Sequence, residues 1–148
     1  MQIQSLSFGE LTYFADDVIR FAEGLPGFPN LKQFIFLDSE EFQPFQYLQA
    51  IDDPPIAFPL ISPYLVKKDY HVVISAEDAM PLHAETPEDL LIYSIVTIPT
   101  QIEHTTINLL APVVLNFRHM IGKQIILHGS DHPVQFPILQ EQEALAAP

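Results

Sequence analysis

A chain of 148 residues is long enough to bury a sizeable core unaided, and with no cysteine it excludes disulfide frameworks, thiolate zinc sites and thiol nucleophiles. Nineteen carboxylates against six lysines and arginines give a formal net charge of −13, which disfavours direct nucleic-acid binding because such a surface cannot neutralise phosphates. Residues 1–6 lack a basic leader and no apolar run reaches membrane-spanning length, so the expectation is a soluble, cytoplasmic, monomeric domain over residues 1–148 with no membrane contact.

Fourteen prolines leave little room for long helices, and the runs between them are rich in Val, Ile, Phe, Tyr and Thr, the composition of short strands. Residues 3–8 and 12–14 read as a first extended pair, followed by 18–22. Gly24-Leu25-Pro26-Gly27-Phe28-Pro29 reads as a type II turn: Pro26 presets its own φ, Gly27 supplies the positive φ, and Phe28 is directed inward as a core anchor. Residues 32–37 form a strand with Phe34 and Phe36 on one face and Ile35 and Leu37 on the other, so both faces require cover. Strands at 45–51 and 56–61 flank the breaker Asp52-Asp53-Pro54-Pro55, and Pro59 marks an edge or bulge.

Residues 70–74 read as another strand. Ser75 is placed to cap a helical turn through Glu77 and Asp78, and Thr86-Pro87-Glu88-Asp89 is a second helix start, cut short by a strand over 90–98. Extended pieces at 106–110 and 112–116 meet at Pro112, and strands at 123–128 and 135–139 follow. The tail, 140–147, is helix-prone but too short to hold alone, so it must dock or fray. The fold class is all-β, a small antiparallel barrel with one or two short helical turns, because closure removes sticky edges. Several strands are apolar on both faces, so the outer surplus needs a helix, a loop or another protein over it.

The candidate chemistry is sparse. His128-Gly129-Ser130-Asp131-His132 could ligate zinc if His104 or His119 completed the shell, which leaves a metal-dependent β-barrel hydrolase as an alternative. Gly129, Asp131 and Pro133 are ordinary turn formers and no His-Glu-x-x-His motif occurs, so the reading is a polar turn, with no metal and no cofactor. Neither a Gly-x-Ser-x-Gly elbow nor a Gly-rich phosphate loop is present, and no enzyme is expected. A small-ligand barrel is a further alternative, requiring Tyr13, Tyr47, Tyr64, Tyr70 and Tyr93 to converge.

Surface chemistry offers more. No lysine or arginine lies between Asp69 and Phe117, whereas Glu77, Asp78, Glu85, Glu88 and Asp89 do. With Asp52 and Asp53, this belt is either a solvated face or one matched to a basic partner. Asn108 and Asn116 either cap bends or frame a recognition surface. Phe58, beside rigid prolines, is either core or an interface anchor.

The order and spacing of Gly24-Leu25-Pro26-Gly27-Phe28 with Phe34, Pro44-Phe45 with Leu48-Gln49, Ala57-Phe58 with Pro63, Val96-Thr97-Ile98-Pro99, Asn108-Leu109 with Ala111-Pro112 and Asn116, and Gln124 with Leu127 resembles the FliW family of flagellar assembly factors, almost end to end. The resemblance implies a β-barrel-like protein without catalytic activity that binds two partners in turn. One is flagellin before export, met as an amphipathic helix on apolar surface. The other is CsrA, a basic RNA-binding repressor of flagellin translation, which the protein keeps from its messenger RNA. His132-Pro133-Val134-Gln135-Phe136 departs from the aromatic and basic residues that the family tends to show on its last strand.

Overall fold

The computed structural model describes residues 1–139; the expected tail element at 140–147 lies outside the described residues. Eleven strands follow in order: β1 (Gln2–Ser5), β2 (Gly9–Thr12), β3 (Val18–Arg20), β4 (Gln33–Leu37), β5 (Phe45–Ala50), β6 (Ala57–Ile61), β7 (Leu91–Thr97), β8 (Thr106–Ile107), β9 (Val113–Asn116), β10 (Ile121–Gln124) and β11 (Phe136–Pro137), with one short helix, α1 (Ala76–Ala79), between β6 and β7. Neighbouring strands run β3-β4-β5-β6-β7-β9-β10, and β10 returns to β3, closing a seven-stranded barrel. β8 and β11 extend from the far end of β7, and β1–β2 is a separate hairpin. One junction departs from the antiparallel expectation: β10 meets β3 in parallel, through the single pair Ile121–Arg20.

Alternation along the strands sorts side chains into two cores. The barrel interior is filled by Phe21, Phe34, Leu48, Leu60, Val113 and Leu115, none of them exposed, and burial of each contributes roughly 1.5–3 kcal/mol. Their neighbours on the opposite face, Ile61, Val96 and Val114, join Leu82, Ile107 and Leu109 in a second core outside the barrel, under the crossover 62–90. Elsewhere the outer face of β4 and β5 carries the β1–β2 hairpin, tied through the Ser5 hydroxyl, which donates to Gln49 Oε1 at 2.7 Å. The apolar surplus is therefore covered twice, each time by this chain.

Pro59 lies inside β6 where the sheet tolerates it. Ala50 N–H donates to the Ile56 C=O (3.0 Å), and in this register Pro59 directs its donorless nitrogen away from β5, so the β5–β6 ladder loses no bond to it, while the pairing with β7 is confined to Leu60 and Ile61. The turn at Pro26 also forms as expected: Gly27 has φ +84°, and Leu25 and Phe28 exchange backbone bonds of 3.2 and 2.7 Å. Gly24 must be glycine, since its φ is +66° and a Cβ would lie 2.6 Å from the Phe28 carbonyl oxygen.

Three local expectations are corrected. Phe28 is 39% exposed rather than a core anchor, because the Leu25–Phe28 exchange holds it on the barrel rim, its ring 5.3 Å from Phe58. Residues 70–74 form no strand: Tyr70, Val72 and Ile74 pack onto the second core as irregular chain. The strand expected at 123–128 is β10, ending at Gln124.

Candidate partner-binding surface

The crossover between β6 and β7 carries half of the ten candidate partner-binding residues, Glu77, Asp78, Glu85, Glu88 and Asp89, and local hydrogen bonding shapes it. Ser75 Oγ accepts the Asp78 N–H at 3.1 Å, capping α1 as its sequence requires. Asp89 closes a capping box with Thr86, and its carboxylate also accepts the Glu85 N–H at 2.9 Å; these backbone donors hold its carboxyl below the usual carboxylate range. The Tyr70 hydroxyl donates to the buried Leu109 carbonyl at 2.7 Å, and burial pushes the phenol well above its ordinary value.

The acidic belt lies in a less uniform field than its cation-free stretch of sequence implies. Lys123, from β10, sits 3.1 Å from Asp78, and Arg118 sits 3.2 Å from Glu85. Asp52 accepts the backbone N–H groups of Lys32 and Gln33 at 3.0 and 3.1 Å, an anchoring task at the start of β4. The carboxylates of Glu77, Glu88 and Asp53 have no partner among the described residues, and all three side chains are exposed. Those three are the free anionic positions of the proposed face.

Both candidate asparagines are engaged internally. Asn108 Oδ1 accepts the N–H groups of Leu110 and Ala111 at 3.0 and 2.9 Å, turning the chain toward Pro112. Asn116 is only 1% exposed; its amide donates to the Leu82 carbonyl at 2.8 Å and its oxygen accepts the Arg118 N–H at 3.0 Å. A recognition role for Asn116 at the surface is corrected to a strut between β9 and the crossover, because burial leaves no group for a partner. Phe58 is half-buried, between Phe28 and, at 6.2 Å, Phe34, so it joins the interior to the rim.

The remaining candidates scatter. His132 meets Tyr70 edge-on with ring centroids 4.8 Å apart, His119 lies 5.9 Å from His83, and His104 lies in an exposed turn. Among the described residues no three histidines and carboxylates come together; His128 lies in a turn, and the Ser130 hydroxyl accepts the His132 N–H at 3.4 Å. Nor do the tyrosines converge: Tyr47 packs with Phe8 and Phe42, Tyr64 with Tyr70, and Tyr93 with Phe36.

One feature escaped the sequence. A largely apolar groove of about 360 Å³ runs along β10, walled by the Gly24–Gly27 turn on one side and by Pro81 and Leu82 on the other, with Ile126 at its rim. Its residues are distant in sequence, and the two glycines that shape it, Gly24 and Gly122, were the available signal: a Cβ on Gly122 would lie 2.7 Å from Leu115. No helix among the described residues is long and apolar enough to cross a membrane.

Comparison with known proteins places this geometry in context. The family model described as FliW protein matches residues 2–138. The flagellar assembly factor FliW of Thermoanaerobacter pseudethanolicus is 44% identical over 142 residues, 95% of each chain. The one from Clostridium tetani is 34% identical over 96% of this chain and 98% of its own. A crystal structure of the flagellar assembly factor FliW superposes with a TM-score of 0.90 at 30% identity, covering 96% of this chain and 99% of that one.

Proposed function

The chain belongs to the FliW family of flagellar assembly factors, and from that premise we propose that it works in the cytoplasm as a non-catalytic binding protein with two protein partners, flagellin and a CsrA-like translational repressor. The observation that carries this reading is the packing of the barrel: Phe21, Phe34, Leu48 and Leu60 fill the interior, so the surface available for function is the outside. There the exposed carboxylates of Glu77 and Glu88 on the crossover and of Asp53 in the β5–β6 turn, within a chain of net charge −13, offer unpaired negative charge suited to a basic repressor. Docked beside an RNA site, such charge repels phosphates within about a Debye length, ~8 Å at physiological salt.

The test is co-purification with flagellin and with a CsrA-like protein, separately and then together, using the native chain and the triple variant Glu77→Lys, Glu88→Lys, Asp53→Lys. The variant is expected to fold normally by circular dichroism, keep flagellin and lose most of its affinity for the repressor. Unchanged repressor affinity removes these residues from that interface, and failure of the native chain to retain either protein overturns the reading.

A further inference from the structure

The barrel closes through a single rung between β3 and β10: the Arg20 N–H donates to the Met120 carbonyl at 3.0 Å, opposite Ile121. Beyond Arg20 the two chains part. Phe21 stays with β4's lead-in, donating to the Lys32 carbonyl, and the Gly24 N–H turns back to the Phe21 carbonyl. β10 runs on paired only with β9, and between the diverging segments lies the groove walled by Gly24–Gly27 and Pro81.

The register of β10 shows which of its groups face that groove. Its ladder with β9 continues as the Ile125 N–H to the Pro112 carbonyl and the Leu127 N–H to the Leu110 carbonyl, both 2.9 Å. Odd-numbered residues therefore direct their backbone groups to β9, and Gly122, Gln124 and Ile126 direct theirs to the opposite edge. The Ile126 carbonyl is taken by the His128 N–H. The Gly122 carbonyl, both backbone groups of Gln124 and the Ile126 N–H have no partner among the described residues. Gly122 is buried, and its lack of a side chain lets the Phe21 and Leu115 side chains of the barrel core pack against it.

We propose that this seam is a strand-acceptor site: an extended segment of a partner protein lies along β10, pairs with Gly122, Gln124 and Ile126, and rests apolar side chains against Leu25, Pro81 and Ile126. Unpaired main-chain groups in a row select an extended backbone, and the apolar walls select alternate Val, Ile or Leu side chains. Charge selects the ends of the segment. Glu23 lines the groove, its one lysine, Lys123, is already held by Asp78, and the chain as a whole is strongly acidic, so lysine or arginine flanks fit. The proposal stands on the seam itself and does not depend on which proteins the family reading names.

The test uses the full chain and a fluorescein-labelled peptide of eight residues alternating valine and threonine between terminal lysines, with two derivatives N-methylated either at every valine or at every threonine. Anisotropy is expected to show binding of the parent, retention by one derivative and a loss of about tenfold or more for the other, because only one edge of an added strand is bonded. Hydrogen exchange should show Gln124 and Ile126 amides fast in the free protein and protected with peptide. Ile126→Asp, on an exposed rim, should weaken the peptide without lowering the thermal midpoint. Equal effects of both methylations, absence of binding at millimolar peptide, or Gln124 already protected in the free protein, by self-association included, overturns the proposal. Co-purification of flagellin and the repressor is scored separately, so either reading can fail alone.

Discussion

The two covers over the outside of the barrel are built on different physics. The crossover 62–90 is fastened by an apolar core of its own, with Leu82 at 0% exposure, and its buried polar ties to Leu109 and Asn116 act within that core. The β1–β2 hairpin is fastened by a polar pair, Ser5 with Gln49, and by the aromatic cluster of Phe8, Phe42 and Tyr47, while Leu6 at the hairpin turn is 79% exposed. A cover fastened by buried area belongs to the cooperative core, whereas one fastened by a few directional contacts opens on its own.

That contrast predicts a graded response to mutation. Leu82→Ala should have the largest effect, a loss of about 2–5 kcal/mol in chemical denaturation, because it leaves a cavity in the second core without touching the barrel interior. A loss under 1 kcal/mol would mean that the crossover is not part of the cooperative unit.

Alkali should act next and on the same cover. The Tyr70 phenol is raised above its unfolded value, so its contribution to stability is fully present below about pH 10 and is lost as pH rises toward the folded value. Native chain is expected to weaken above that pH, and Tyr70→Phe should flatten this part of the profile while costing roughly 1 kcal/mol at neutral pH. An identical alkaline profile in both proteins would remove Tyr70 as the cause.

Smallest is Ser5→Ala, about 1–2 kcal/mol, since the hydroxyl's bond to Gln49 Oε1 and the one it accepts from the Phe8 N–H are both lost while the Gln49 amide keeps its bond to the Pro54 carbonyl. Hydrogen exchange should quicken for the amides of β1 and β2 and leave those of the crossover unchanged. Faster exchange in both would erase the distinction between the covers.

How far the sequence reached follows from the range of each interaction. Local signals were legible: the Pro26-Gly27 turn, the Ser75 cap, the Thr86-Pro87 helix start and the break at Pro112 each depend on neighbours within a few residues. Alternation in β4 correctly demanded cover on both faces, yet could not say that the barrel interior supplies it on one side and residues 2–12 on the other. The period-two pattern of Tyr70, Val72 and Ile74 suits a strand, but those residues bury against a core from irregular chain, where burial without pairing gives the same pattern. Charge failed for a related reason: Lys123 is 45 positions from Asp78, and no linear scan of the belt could bring it there. The free edge of β10 is further still from sequence, because it exists only through the departure of another strand.

The single parallel rung at Arg20 and Ile121 also governs how this molecule comes into being. Its two members lie near opposite ends of the described chain, so during synthesis β3 to β6 can emerge as a meander of local pairings, but the ring cannot shut until β10 has left the ribosome. Until then β3 waits with one side bare. The nascent protein thus passes through an open-sheet stage in which its own last strands compete with any neighbouring chain for the same vacancy.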